Sequence, residues 1–251
     1  RARNKMQYTT EEGRNCMRRI AERHSYHLIR ASLRISKERG LAPWIHKTKW
    51  PEGWLPIDTY NHGIDDYVSE TLHYDWAQLR SELIENGGIG HSALVAIMPG
   101  ESSSKALGAS NSIYPVREEV MIKTDGASTI RWAAYQEEGI EYQSAWDVHM
   151  RDMILITGIW QKFTDQAISA DLHHPLGKGE TISSTELIEL YLLMHHVGMK
   201  TRYYFNTRTV TDNSEEAKRT VKTTFNDIDQ DDADDILSGF DNACDGGGCT
   251  L

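Results

Sequence analysis

The sequence predicts an α/β body ending near residue 210, followed by a flexible acidic tail. Three observations predict it. A helical segment, Leu187–Val197, lies between two strand-like stretches, Ala167–Ala170 and Lys200–Phe205, the order of a parallel βαβ unit. A continuous apolar run, Ala93–Met98, reads as a strand covered on both faces, as in parallel sheets. Residues 211–251 hold eleven acids against three bases, so the tail carries −8 of the net −10 and the body only −2.

The elements follow in order. Residues 1–12 are polar and read as disordered or capping. From Gly13 to Arg39 the apolar residues Met17, Ile20, Ala21, Leu28, Ala31 and Ile35 recur at helical spacing, and Gly40 with Pro43 stops the helix. Residues 41–74 are rich in Pro and Gly and read as loop. A short helix over Asp75–Asn86 places Trp76, Leu79 and Leu83 on one face, with Gly87-Gly88 behind it. The Ala93–Met98 strand breaks at Pro99-Gly100. A second apolar run, Val120–Ile122, follows a turn near Tyr114-Pro115, and Asp147–Gln166 is strongly helical. Ser183-Ser-Thr-Glu186 has the form of a capping box for Leu187–Val197, with Gly198 at the other end. The expected organisation is a polar segment 1–12, a body 13–210 and a tail 211–251.

Composition excludes several function classes. At 251 residues, 39% hydrophobic and with seven tryptophans, the chain can bury a sizeable core. A nearly neutral body with an acidic tail lacks the basic face of a nucleic-acid binder, so no direct nucleic-acid binding is expected. No stretch approaches 18 apolar residues and no signal peptide is evident, so no membrane partner is expected. Three cysteines do not make a disulfide framework and fit a reducing cytoplasm. The start at Arg-Ala-Arg-Asn, without methionine, points to a fragment or processed product. His195-His196 lack metal-pair spacing, and no HExxH or paired CxxC is present, so no metal site is expected. Cys16, in a helical region, reads as a small buried or half-buried side chain.

Three constellations carry chemistry. In Met98-Pro-Gly-Glu-Ser-Ser-Ser-Lys105 a strand opens into a possible helix start, where free N–H groups and serine hydroxyls attract phosphate. The pattern is not a Walker loop, and an ordinary Ser-rich N-cap is the plainer alternative. Tyr203-Tyr204 is either a pair of sheet residues or a site of phenol oxidation. Regular strand geometry sends neighbours to opposite faces, so a coupled pair requires a bulge or an irregular strand end. Cys244 and Cys249, separated by Asp-Gly-Gly-Gly, sit on an arm of about 40 residues with a reach of roughly 35 Å. Such a dithiol suits disulfide exchange, although C-x4-C alone is a weak motif.

Taken together, ordered blocks along the chain resemble the C-terminal part of the large (catalytic) subunit of class Ia ribonucleoside-diphosphate reductases. They are Leu55-Pro-Ile-Asp-Thr-Tyr60, Leu72-His-Tyr-Asp-Trp76, Ser92–Ser104, Asn111-Ser-Ile113, Gln161–Gln166, Ser169-Ala170, Tyr203–Arg208 and Cys244-x4-Cys249. The resemblance implies part of a ten-stranded α/β barrel built from two parallel half-barrels. It implies that Pro99, Gly100, Glu101, Ser102 and Ser103 hold the diphosphate of a ribonucleoside diphosphate substrate. Tyr203 and Tyr204 would relay a radical from the small subunit. Cys244 and Cys249 would re-reduce the active site and then be reduced by thioredoxin or glutaredoxin. The chain would bind no cofactor of its own, the metal-radical cofactor residing in the small subunit. The product is the deoxyribonucleoside diphosphate needed for DNA synthesis.

Departures accompany the resemblance. Gly100 and Ser102 stand where the family commonly has serine and threonine, Tyr114-Pro115-Val116 replaces Glu-Pro-Pro, and the tail after Tyr204 is long. The thiyl-radical cysteine, its two reducing partners and the neighbouring glutamate and asparagine lie upstream of the matched region. Cys16 is the only cysteine of the body, so another polypeptide would have to supply them. The expectation is one half of a split large subunit, inactive alone, with a truncated fragment as the alternative. Two further readings remain: a fragment of a cobalamin-dependent class II reductase, which has no need of the tyrosine pair, and a non-catalytic remnant that binds the small subunit.

Overall fold

The computed structural model describes residues 7–117, 120–125, 128–133, 142–177 and 180–209. Residues 210–251, which include the whole expected tail with Cys244 and Cys249, lie outside the described residues, as do residues 1–6.

Helix α1 spans Glu11–Arg39, starting two residues before the expected Gly13. Thr10 is the reason: its Oγ1 accepts the Gly13 N–H at 3.0 Å. Glu11 and Glu12 in the first turn and Lys37 and Arg39 in the last oppose the helix dipole favourably. Gly40, at φ +91°, ends the helix. The following loop holds three 3₁₀ turns, Ile45–Lys47, Trp50–Glu52 and His62–Tyr67, and the four-residue helix α2, Pro56–Thr59.

A buried ion pair pins the end of this loop to α1. Glu22 and Arg18 are 0% and 1% exposed and 3.6 Å apart. Glu22 Oε1 accepts from the backbone N–H of His73 and Tyr74 and from Trp76 Nε1, at 2.8, 3.2 and 3.0 Å. Arg18 donates to the Thr71 carbonyl at 2.6 Å. Helix α3, Trp76–Asn86, follows, capped by Asp75 on the Gln78 N–H and ended by left-handed Gly87. Its Trp76, Leu79 and Leu83 are buried, as the spacing requires.

The expected Ala93–Met98 strand is a correction. It makes one parallel bridge, Ile97 to Ile168, with Val95 O and Ile97 O accepting from Gln166 N and Ser169 N. The cause is local: the Asp165 carboxylate takes the N–H groups of Leu94 and Val95 at 3.0 and 2.6 Å, in place of a ladder. The stretch is also covered on one face rather than two, with Val95 buried and Met98 67% exposed. Helix α4, Glu101–Leu107, comes next. The apolar run at Val120 opens β1, Val120–Asp125, which pairs antiparallel with β2, Ser128–Ala133, a partner the sequence did not announce.

Helix α5 runs Met150–Lys162, shorter than Asp147–Gln166. The His149 side chain caps its start, and Thr164 Oγ1 donates to the Trp160 carbonyl at its end. Strand β3, Leu172–Leu176, helix α6, Ser184–His196, and strand β4, Phe205–Thr209, form a parallel βαβ unit in register Leu172 to Phe205. The expected strands are a correction: Ala167–Ala170 lies wholly before β3, and Lys200–Phe205 shares only Phe205 with β4, because the 166–169 stretch faces Val95 and Ile97 and the β3–β4 ladder begins beyond it. Ser183 accepts the Glu186 N–H at 3.1 Å, and Gly198 closes the other end at φ +76°.

Two apolar clusters fill the interior. One gathers Met153, Ile154, Ile156 and Ile159 of α5 with Met17, Ile168, Leu172 and Leu193. The other joins Tyr26, Ile29 and Leu33 of α1 to Trp76, Leu79 and Leu83 of α3 and to Phe163. Trp160 packs against both. The architecture is α/β.

Candidate functional site

The site is built around the stretch Ser169–Leu172. On one side, Ser169 N donates to Ile97 O at 3.3 Å, fixing the chain that leads into Pro99-Gly100. Gly100 N donates to Asn111 Oδ1 at 2.6 Å, and Gly100 O accepts from Ser104 N at 2.9 Å as the first acceptor of α4. The N–H groups of Glu101, Ser102 and Ser103 precede that first intrahelical bond and have no backbone acceptor among the described residues, the situation in which a helix start can meet an anion. Ser102 and Ser103 are exposed, while Pro99 and Gly100 are half-buried. Ser103 Oγ leans back on the Gly100 carbonyl at 3.0 Å.

On the other side stands the tyrosine pair. Tyr203 N donates to Ala170 O at 2.8 Å, and Leu172 N to Tyr204 O at 2.9 Å. Both tyrosines precede β4, in the irregular approach to the strand, so their side chains need not alternate. The ring centroids are 3.9 Å apart at 48°, and Tyr204 Oη donates to Tyr203 Oη at 2.9 Å. Exposures are 48% and 52%. The hydrogen bond to Tyr203, with that neighbour's charge, pushes the Tyr204 phenol above its ordinary range.

Between the two lies a buried polar group that sequence reasoning missed. Tyr114 Oη donates to the Ser169 carbonyl and accepts from Asp171 N at 3.2 Å. Burial holds its phenol well above the usual range. Asp171, 3% exposed, accepts from Tyr204 N at 3.4 Å and faces Arg117 Nη2 at 3.4 Å. Burial raises its carboxyl, against the pull of Arg117. Asn111 was visible only as part of a resembling block, and Tyr114 only as a turn residue and a departure from one. Nothing marked Asp171. Beyond it, His173 is 3% exposed with Nε2 unpaired among the described residues, its ring edge-on to Trp146 at 5.0 Å.

The sequence-predicted residues thus fall in two places joined by one stretch, with Cys244 and Cys249 outside the described residues. Cys16 is buried in α1. Among the described residues no group of His, Cys, Asp and Glu could hold a metal ion, and no helix is long and apolar enough to cross a membrane.

The α/β body thus presents a serine-rich helix start and a hydrogen-bonded tyrosine pair on either side of Ser169–Leu172. The chain belongs to the ribonucleotide reductase barrel-domain family, whose model matches residues 1–137 and 132–205. Among its relatives, ribonucleoside-diphosphate reductase 1 subunit alpha of Salmonella typhimurium is 35% identical over 259 aligned residues, covering 100% of this chain and 31% of the relative. The subunit alpha of Haemophilus influenzae is 32% identical over 255 residues, with 100% and 31% covered. That of Enterobacteria phage T4 is 31% identical over 208 residues, 79% of this chain and 27% of its own length. The chain therefore spans about a third of the first two relatives, and the matched region is their C-terminal part.

Proposed function

We propose that this chain is the C-terminal barrel part of a class I ribonucleoside-diphosphate reductase large subunit, acting on ribonucleoside diphosphates in the cytoplasm. The observation that carries the reading is the contact between Tyr203 and Tyr204. With a 2.9 Å hydrogen bond between the phenols, an oxidised Tyr203 can take an electron and a proton together from Tyr204. Tyr203 returns to the phenol and Tyr204 becomes the phenoxyl, so charge and atoms balance. A cobalamin-dependent reductase needs no such pair.

In this reading the radical comes from a metal-bearing small subunit, and this chain binds no cofactor. The N–H groups of Glu101, Ser102 and Ser103, with the hydroxyls of Ser102 and Ser103, take the substrate diphosphate at the loop begun by Pro99 and Gly100. The thiyl-radical cysteine and its reducing partners come from residues outside this sequence, which completes the ten-stranded barrel. The acidic tail carries Cys244 and Cys249 to the active site, where the dithiol is oxidised as the active-site disulfide is reduced. Thioredoxin or glutaredoxin then restores it.

The test is CDP reduction with dithiothreitol, using this chain with the matching upstream polypeptide and small subunit, each omitted in turn. Tyr203→Phe and Tyr204→Phe keep the ring but have no phenolic proton, and each should abolish turnover while assembly persists. Full activity in either variant would sink the relay. Replacing Cys244 and Cys249 with Ser should stop thioredoxin-driven cycling but spare a single turnover; undiminished cycling would refute the arm.

A further inference from the structure

We propose that Asp171 is the positioning residue of the tyrosine pair: one carboxylate oxygen holds the Tyr204 backbone and the other faces Arg117. Its functional meaning rests on the relay reading above. Three observations carry it. Asp171 is almost fully buried, so its charge is poorly screened by water. Its backbone and side chain have separate tasks: Asp171 N donates to Tyr114 Oη at 3.2 Å, while Oδ1 accepts from Tyr204 N at 3.4 Å. Its partner Arg117 is half-exposed, at 48%, and lies in the segment entering the β1–β2 hairpin.

The alternatives for the backbone contact show why charge matters. Two backbone bonds, Tyr203 N to Ala170 O and Leu172 N to Tyr204 O, already align this stretch with Ala170–Leu172. A further acceptor for Tyr204 N could be any small polar side chain. A carboxylate adds a negative charge whose influence extends to the Tyr204 phenol, which must lose a proton when oxidised.

Among the described residues, the neighbouring cationic side chains on this stretch are engaged elsewhere. Lys200 donates to the Thr164 and Asp165 carbonyls at 3.4 and 2.9 Å. Arg202 lies over the Tyr191 ring at 5.4 Å and Arg208 over Trp146 at 5.8 Å. His173, two residues along β3, is kept neutral by burial. Among the described residues Asp171 is thus the charged group that acts on the Tyr204 phenol, and Arg117, its ion-pair partner, carries the opposite sign. The carboxylate disfavours a phenolate at Tyr204, and the guanidinium offsets it.

The experiment places 3-fluorotyrosine at position 204 of the full chain and follows its fluorine resonance through a pH titration. Asp171→Asn keeps an acceptor oxygen for Tyr204 N but removes the charge, and should shift the resonance and lower the phenol's midpoint. Arg117→Gln, at the exposed partner, should raise the midpoint, because the carboxylate then acts unopposed. Asp171→Glu should keep the midpoint on the wild-type side of Asp171→Asn. A purely structural role gives no reason for opposite movements. If Asp171→Asn does not fold, as judged by circular dichroism, Arg117→Gln decides alone. A midpoint in Arg117→Gln that is unchanged or lowered, or an unchanged resonance and midpoint in a folded Asp171→Asn, would overturn the proposal. The titration needs no radical, so it can fail while the Phe variants abolish turnover, or succeed while they do not.

Discussion

His173 makes the stability of this chain depend on pH in a way that can be computed and checked. Burial, then the positive charge of Arg117, lowers its imidazole from 6.5 to about 4. The unfolded chain, with His173 in water, binds a proton near 6.5; the folded chain resists it. A base with a depressed folded pKa therefore stabilises fully above 6.5, and that contribution is lost as pH falls toward 4. Integrated from pH 7.5 to pH 5, the loss from this one group is about 2 kcal/mol, and it approaches about 3 kcal/mol below pH 4. With a urea m-value of roughly 2–3 kcal/mol/M, the midpoint should fall by roughly 0.7–1 M between pH 7.5 and pH 5 from His173 alone. Asp171 has the opposite sign, since burial raises its carboxyl and acid relieves the buried charge. The comparison that isolates His173 is wild type against His173→Asn, which keeps Asp171 and removes the titrating ring. Wild type should lose about 2 kcal/mol more than the variant over this interval. Equal losses in the two proteins would refute a neutral, desolvated His173.

Other perturbations have equally definite outcomes. Glu22→Ala leaves buried Arg18 unpaired and three donors without their acceptor, and should cost about 3–5 kcal/mol in urea unfolding. Glu22→Gln keeps an acceptor oxygen and should cost less. Gly63→Ala would place a Cβ 2.3 Å from the His196 carbonyl oxygen, which is backbone and cannot swing away. Its expected cost is about 1–3 kcal/mol, read from the thermal midpoint. Asn111→Ala strips the acceptor from Gly100 N, should cost about 1 kcal/mol, and should raise KM for the nucleoside diphosphate more than it lowers kcat in the reconstituted assay.

What was legible in the sequence was local. Asp75, Ser183, Gly40, Gly87 and Gly198 act within one turn of their own helix ends, and each is found at or beside the boundary expected. The strands were less legible because ladders are decided by partners. Ala93–Met98 has the composition of a buried strand, yet the Asp165 side chain, some seventy residues on, claims two of its N–H groups. Arg18 and Glu22, spaced i,i+4, have the pattern of a surface pair, and it is tertiary packing, with the return of residues 71–76 and the Phe163 ring against Arg18, that buries them. The tyrosine pair was legible as a motif, and its geometry as a condition: an irregular strand end. Asp171 was illegible because a lone acid in a polar stretch carries no pattern, and its place is set by Tyr114 and Arg117, more than fifty residues before it.

Helix α1 feeds both apolar clusters, Met17 to one and Ala21 through Leu33 to the other. Helix α5 does the same through Trp160, while Phe163, just beyond its end, belongs to the second. Neither cluster can be opened without stripping a helix from its neighbour. The expected melting behaviour of the described body is therefore a single all-or-none event reported alike by every probe, and not a succession of partial losses. A substitution near Trp160 would then be felt as far away as α3, through loss of the common state rather than through any chain of contacts.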